Sequence, residues 1–300
     1  MLLEDAVNEF ILDCRIRKLS PRTIHNYGVL LNLLIRSLAE EHIAAPDQIR
    51  SSHLKSFLLK KEEEGRKPQY LNDLLKTFKV FFKFLVREEY IQHSPAKNIH
   101  NVKQPKVLIR TFSEHEIRAF LRYYSDRDFI GCRNKTILAM FFDTGMRLNE
   151  VITLKGDQIH DEYILVHGKG NKERLVPVSP FLARQISRYM RVRDSYFSDK
   201  VPPEHYVFVS CNGRILTAEA VTKFMKQAAA DIHVNPEVRV SPHTCRHTFA
   251  HMQLKNGLDL YSLSRIMGHE NIAITQRYLD GIRDDEVLEK ARQTGVLAHL

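Results

Sequence analysis

No stretch of this 300-residue chain approaches the roughly 18 consecutive apolar residues of a membrane-spanning helix, so no membrane span is expected. Cysteine is scarce. Cys14, Cys132, Cys211 and Cys245 stand far apart with no C-x-x-C pair, which argues against a disulfide framework and for free thiols in a reducing compartment. The first residues, M-L-L-E-D-A-V-N-E-F, are acidic and lack the basic start and apolar run of a secretory signal, so a cytoplasmic location is expected. There is no internal repeat and no low-complexity tract. A hydrophobic content of 43% is ordinary for a globular protein, so buried cores are expected and disorder is not. The length suits two domains.

Acidic residues are outnumbered, 36 against 45 Lys and Arg, for a formal net charge of +9. Such a balance suits a polyanionic partner. The excess is local: residues 66–110 hold ten basic side chains and three acidic ones. Lys76, Lys79, Lys83 and Arg87 lie there on a helical pattern, with Lys103 and Lys106 beyond it, and all six are candidates for phosphate contact.

Apolar spacing of three and four predicts a helix over residues 3–17 through Leu3, Val7, Phe10, Ile11 and Cys14. Ser20-Pro21 is a helix start, an N-cap followed by proline at the first helical position. A third helix is expected from Ser51 or Ser52 to before Gly65, and a fourth from Pro68 to about Tyr90 with a leucine and phenylalanine stripe. Periodicity is lost over 92–112, which contains two prolines and reads as a linker. The expected division is a helical domain over 1–100, a linker over 101–112 and a second domain over 113–300, opened by the capping box Ser113-Glu114-His115-Glu116. That second domain reads as mainly helical with a small sheet. Strands are expected at 162–167 and 173–178 around G-K-G-N-K, and a further one at 206–210. Helices are expected at 114–124, 133–143, 147–154, 181–196, 217–232, 242–256, 260–267, 271–280 and 284–293.

Four segments carry chemistry: D-T-G-M-R-L-N-E (143–150), H-G-K-G-N-K-E-R-L-V-P-V (167–178), S-P-H-T-C-R-H-T-F-A (241–250) and M-G-H-E-N-I-A-I-T-Q-R-Y (267–278). Arg147, Lys169, His243, Arg246, His269 and Tyr278 form a kit for attacking a phosphodiester without a metal. Planar guanidinium groups match phosphate oxygens, and a lysine on a hairpin tip can deliver a proton as general acid. His243 and Arg246 share one face in the first turn of a helix, whose end offers free N–H groups to an anion. Singly, each has an ordinary reading: a surface arginine, a turn lysine, a packed tyrosine, a capping histidine. A zinc site from His243, His247 and Cys245 lacks a completing cluster, and Arg246 would repel the cation.

Together these segments resemble the tyrosine recombinase (phage integrase) family, in particular its Xer-type members. His243 and Arg246 match the family's H-x-x-R box. His269 matches its G-H box, with Tyr278 nine residues on, and Thr144 through Glu150 match T-G-x-R-x-x-E. The hairpin lysine falls on Lys169, with Lys172 the alternative on the same turn. The resemblance spans both domains and implies a mainly α, two-domain clamp: a helical core-binding domain, then a catalytic domain with a small β-sheet. It implies that Tyr278 attacks a DNA phosphate to give a 3′-phosphotyrosyl link, with Arg147 and Arg246 holding the non-bridging oxygens. His243 and His269 would assist, Lys169 would protonate the leaving oxygen and Glu150 would orient its neighbours. Neither metal nor ATP would be required, and no cofactor is expected. The implied partners are double-stranded DNA with paired half-sites and a homo- or hetero-tetramer, joined through a tail over 284–300. The alternatives are a type IB-like topoisomerase and a non-catalytic DNA-binding paralogue, and the latter should have lost the tyrosine or an arginine.

Overall fold

A computed structural model describes residues 1–104, 110–168, 173–200, 203–269, 271–276 and 278. The chain divides into two compact units, residues 1–106 and 107–300.

The first unit is built from α1 (Leu3–Ile16), α2 (Pro21–Glu40), α3 (Ser51–Glu63) and α4 (Pro68–Arg87), with a single 3-10 turn at Pro46–Gln48. Ser20 caps α2, its hydroxyl accepting the Thr23 N–H at 3.2 Å, and Pro21 occupies the first helical position. Apolar faces of all four helices meet in one core. Phe10 is fully buried there, its ring 5.4–5.6 Å from those of Tyr27, Phe81 and Phe84. The stretch after α4 is not free chain at its start, because Ile91, Ala96 and Ile99 pack onto this core. The Asn72 side chain then clamps Val102, accepting its N–H at 2.8 Å and donating to its carbonyl at 3.0 Å. Arg87 is tied back to Asp13 at 2.7 Å and to Glu88, with its guanidinium 5.2 Å from the Phe84 ring centre. Lys76 and Lys83 are exposed and Lys79 is half-buried; Lys103 is exposed, and Lys106 lies outside the described residues.

The second unit contains α5 (Glu114–Tyr123), α6 (Phe129–Thr144), α7 (Leu148–Ile152), β1 (Tyr163–His167), β2 (Glu173–Pro177), α8 (Pro180–Phe197), α9 (Ala218–Asp231), α10 (Pro242–Lys255), α11 (Leu260–Met267) and α12 (Ile272–Gln276). The Ser113 capping box is formed, with Glu116 accepting the Ser113 N–H at 2.8 Å. The two strands pair antiparallel with Leu165 opposite Leu175. Buried α6 lies at the centre, packed against α5, α8 and α10. Among the described residues no helix is long and apolar enough to cross a membrane.

Several expectations need correction. Helix α6 begins at Phe129 rather than 133, because Asp128 caps it by accepting the Gly131 N–H at 2.7 Å. Gly131 permits that approach: a Cβ there would lie 2.6 Å from the Ser125 carbonyl oxygen. Residues 206–210 form only isolated bridges. Their backbone groups pair instead with a loop and with helical side chains: the Val207 N–H donates to Leu154, while Tyr189 and Arg133 donate to the carbonyls of Val207 and Val209. Of the 271–280 helix, α12 spans Ile272–Gln276. The helix at 284–293 and the tail over 284–300 lie outside the described residues.

Candidate active site

Gly145 ends α6 in the left-handed conformation at φ +59°, and a side chain there would drive into the Phe249 ring, 2.3 Å from Cδ1. The chain then turns so that Arg147 is the N-cap of α7 rather than its first residue. Its side chain remains 47% exposed, tethered on one side by Glu150, which accepts from Nη1 at 3.0 Å and from the backbone N–H at 2.8 Å.

Helix α10 starts at Ser241-Pro242, with the serine hydroxyl accepting the Thr244 N–H at 3.1 Å. Positions 243, 246 and 247 follow on one face. His243 is exposed at the start, and Arg246 is 3% exposed. Arg246 donates to the Gly145 carbonyl at 2.6 Å and the Met267 carbonyl at 2.6 Å, and meets His269 Nε2 at 3.0 Å. Among the described residues three of its five N–H donors are thereby committed, which leaves two for an anion. Burial, then the nearby Arg147, lowers its pKa to about 10, so it is cationic at neutral pH.

The end of α11 brings the remaining parts together. Gly268 caps it at φ +64°, and the N–H groups of Gly268 and His269 satisfy the carbonyls of Arg265 and Ser264. Three carbonyls are left, and each accepts from a different guanidinium: Ile266 from Arg174 at 2.8 Å, Met267 from Arg246 at 2.6 Å, and Gly268 from Arg147 at 3.4 Å. Cations at the negative end of a helix are favourable, and here they also complete its hydrogen bonding.

Tyr278 is 7% exposed and packs with Phe249, Ala250, Leu254, Leu263 and Met267. Its ring stacks on His269 (centroids 6.2 Å, 14° between planes) and lies 5.2 Å from that of His247. His247 in turn meets His243 at 4.3 Å. Burial, then the neighbouring cations, depresses all three imidazoles. His243 is shifted down, while His247 and His269 fall to about 4. Cys245 faces away, fully buried in the main core. Among the described residues no cluster of His, Cys, Asp or Glu could hold a metal ion.

Arg147, Glu150, His243, Arg246, His269 and Tyr278 are therefore gathered in one unit, while Lys169 and Lys172 lie outside the described residues. Two neighbours escaped the sequence reading. His247 drew attention only as a metal ligand. Arg174 sits on β2 with its side chain 10% exposed. Strand alternation could have found it: Arg174 and Val176 turn to the inner face of β2, whereas Leu175 is 57% exposed.

Residues 110–282 match the phage integrase family, and residues 7–89 match the phage integrase N-terminal SAM-like domain. The chain belongs to the phage integrase family. Among its relatives, a tyrosine recombinase XerD of Lacticaseibacillus casei is 33% identical over 73% of this chain and 75% of its own. The XerD recombinase of Halalkalibacterium halodurans is 30% identical over 94% of this chain and 92% of its own. In fold, the chain is similar to a XerH site-specific recombinase bound to a palindromic difH substrate, with TM-score 0.76, 22% identity, and coverage of 93% of this chain and 81% of that one. A lambda integrase dimer bound to a core site gives TM-score 0.73 at 16% identity, covering 94% of this chain and 78% of that one.

Proposed function

We propose that this protein is a site-specific DNA recombinase in which Tyr278 is the nucleophile. The phenol oxygen attacks the scissile phosphorus while the bond to the 5′ oxygen breaks, leaving a 3′-phosphotyrosyl link and a free 5′-hydroxyl. Arg147 and the two uncommitted donors of Arg246 hold the non-bridging oxygens as charge builds on them. A phenol of pKa about 10 needs a base near neutrality, and His243, neutral and exposed at the start of α10, takes that proton. Lys169 protonates the departing 5′ oxygen. A 5′-hydroxyl from a partner strand reverses the step. One phosphoester is exchanged for another throughout, so no ATP is consumed.

His269 presents Nε2 to Arg246 as an acceptor. To donate to a phosphate oxygen it releases the Arg246 N–H, which turns to the phosphate, and moves its proton from Nδ1 to Nε2, with the Thr275 hydroxyl, 2.8 Å from Nδ1, turning from acceptor to donor. The basic residues of the first unit supply phosphate contacts, and the protein works in the reducing cytoplasm on duplex DNA with paired half-sites, as a tetramer. The observation that carries this reading is the placement of Tyr278 against His269 within the same chain that supplies both arginines.

The test is covalent trapping on nicked duplexes bearing a randomised site library, in EDTA, beside Tyr278→Phe. The expected result is an adduct at a DNA 3′ end that disappears in the variant while DNA binding persists. An adduct retained by Tyr278→Phe, or selective binding with no adduct at all, would overturn the assignment.

A further inference from the structure

We infer that Arg174 is a positioning residue for strand cleavage, holding Arg147 in place through Glu150 and fixing the end of α11 that carries His269. The inference rests on the proposed reading of Tyr278 as nucleophile.

Arg174 pairs with Val166 in the sheet through its backbone, yet among the described residues none of its side-chain polar contacts is with the sheet. Nη1 and Nη2 fork onto the two carboxylate oxygens of Glu150 at 3.0 and 2.6 Å, and Nε donates to the Ile266 carbonyl at 2.8 Å. One planar group thus joins three elements: a strand of the hairpin, the first turn of α7 and the last turn of α11. Glu150 uses the same two oxygens to hold Arg147, at both its backbone N–H and its Nη1. Arg147 has few other restraints, a long bond to the Gly268 carbonyl at 3.4 Å and a side chain nearly half exposed. Its direction is therefore set by Glu150, and the direction of Glu150 by Arg174.

A second observation points the same way. The stem of Arg174 lies over Gly268, where a Cβ would come within 2.8 Å of its Cδ. The glycine before His269 is thus needed for space as well as for its left-handed backbone. Stability alone does not account for the arrangement, since a buried ion pair adds little over apolar packing. Among the described residues Glu150 is also the only carboxylate paired with these guanidinium groups, so it offsets the repulsion among Arg147, Arg174 and Arg246.

Lysine cannot replace this group, because one ammonium cannot reach both carboxylate oxygens and a carbonyl in a second direction. The test compares wild type, Arg174→Ala and Arg174→Lys on the nicked duplexes that wild type traps, measuring binding, melting temperature and saturating single-turnover cleavage. A second substrate carries sulfur in place of the bridging 5′ oxygen, a leaving group that needs no general acid. Both variants are expected to bind within about threefold of wild type and to cleave about 100-fold more slowly, the scale on which a small misplacement acts. The sulfur substrate is expected not to restore them, because the defect lies in holding the phosphate rather than in protonating the leaving group. Should Arg174→Ala fail to fold, Arg174→Lys alone decides. Near wild-type cleavage by Arg174→Lys would show that charge without geometry suffices and overturn the inference. Recovery on the sulfur substrate would also overturn it, by placing the role at proton delivery. Absence of a Tyr278-dependent adduct with wild type would instead remove the functional reading on which the inference stands.

Discussion

Arginine carries only donors, so the His269 nitrogen that meets Arg246 at 3.0 Å accepts, and the imidazole proton resides on Nδ1 facing Thr275. Burial and adjacent cations both disfavour a second proton, which is why His247 and His269 titrate near 4. A histidine whose folded pKa is depressed contributes stability that is fully present above its unfolded value, about 6.5, and declines as pH falls towards the folded value. Between those limits the unfolded chain binds protons that the folded chain refuses. The urea midpoint of wild type should accordingly be lower at pH 5 than at pH 7, and the difference should shrink in His269→Gln. A midpoint unchanged between the two pH values would show that these rings are not held neutral. The candidate histidines were legible as residue types at fixed spacings. Their charge was not, because it depends first on burial and then on neighbouring cations. Nor was the tautomer of His269, which depends on Arg246 and Thr275 on opposite sides of the ring.

At the scale of elements, local signals were read directly wherever the stabilising bond is itself local. Ser20, Ser113 and Ser241 each cap the helix that follows within three residues. The strand expected at 206–210 failed for the opposite reason: its partners are Leu154, Arg133 and Tyr189, all distant in sequence. The turn between α6 and α7 combines both cases. Gly145 reads locally as a helix stop, but its contact with Phe249 and its carbonyl bond to Arg246 come from α10. Gly145→Ala should therefore destabilise the second unit by about 1–3 kcal/mol through overpacking and positive φ, and should slow cleavage by displacing Arg246. Gly156→Ala, where a Cβ meets nothing within 4 Å, is the control. Equal urea midpoints for the two variants would remove the argument.

For the whole molecule, the basic excess near the end of the first unit predicts DNA affinity that falls steeply with salt, as phosphate contacts release counterions. The structure separates the candidates within it. Lys76 and Lys83 are exposed and have no ion-pair partner among the described residues, whereas Arg87 is held by Asp13 and Glu88. Lys76→Ala and Lys83→Ala should each reduce the slope of log affinity against log salt by about one, and Arg87→Ala by less. A slope unmoved by either lysine would place the duplex elsewhere on this unit.

The identities and order of the candidate side chains were determined by the sequence, because the proposed phosphoryl-transfer site is specified by residue types at fixed short spacings: His243 three before Arg246, His269 nine before Tyr278. So were most of the helices, whose hydrogen bonds close within four residues. The tertiary structure alone decided that three carbonyls at the end of α11 are shared among Arg147, Arg174 and Arg246. It also decided that Arg174 governs Glu150 and that the Tyr278 ring is nearly covered in the free chain. The guanidinium contacts join residues about 20 to 120 positions apart, and only chain folding brings their donors and acceptors within 3.5 Å.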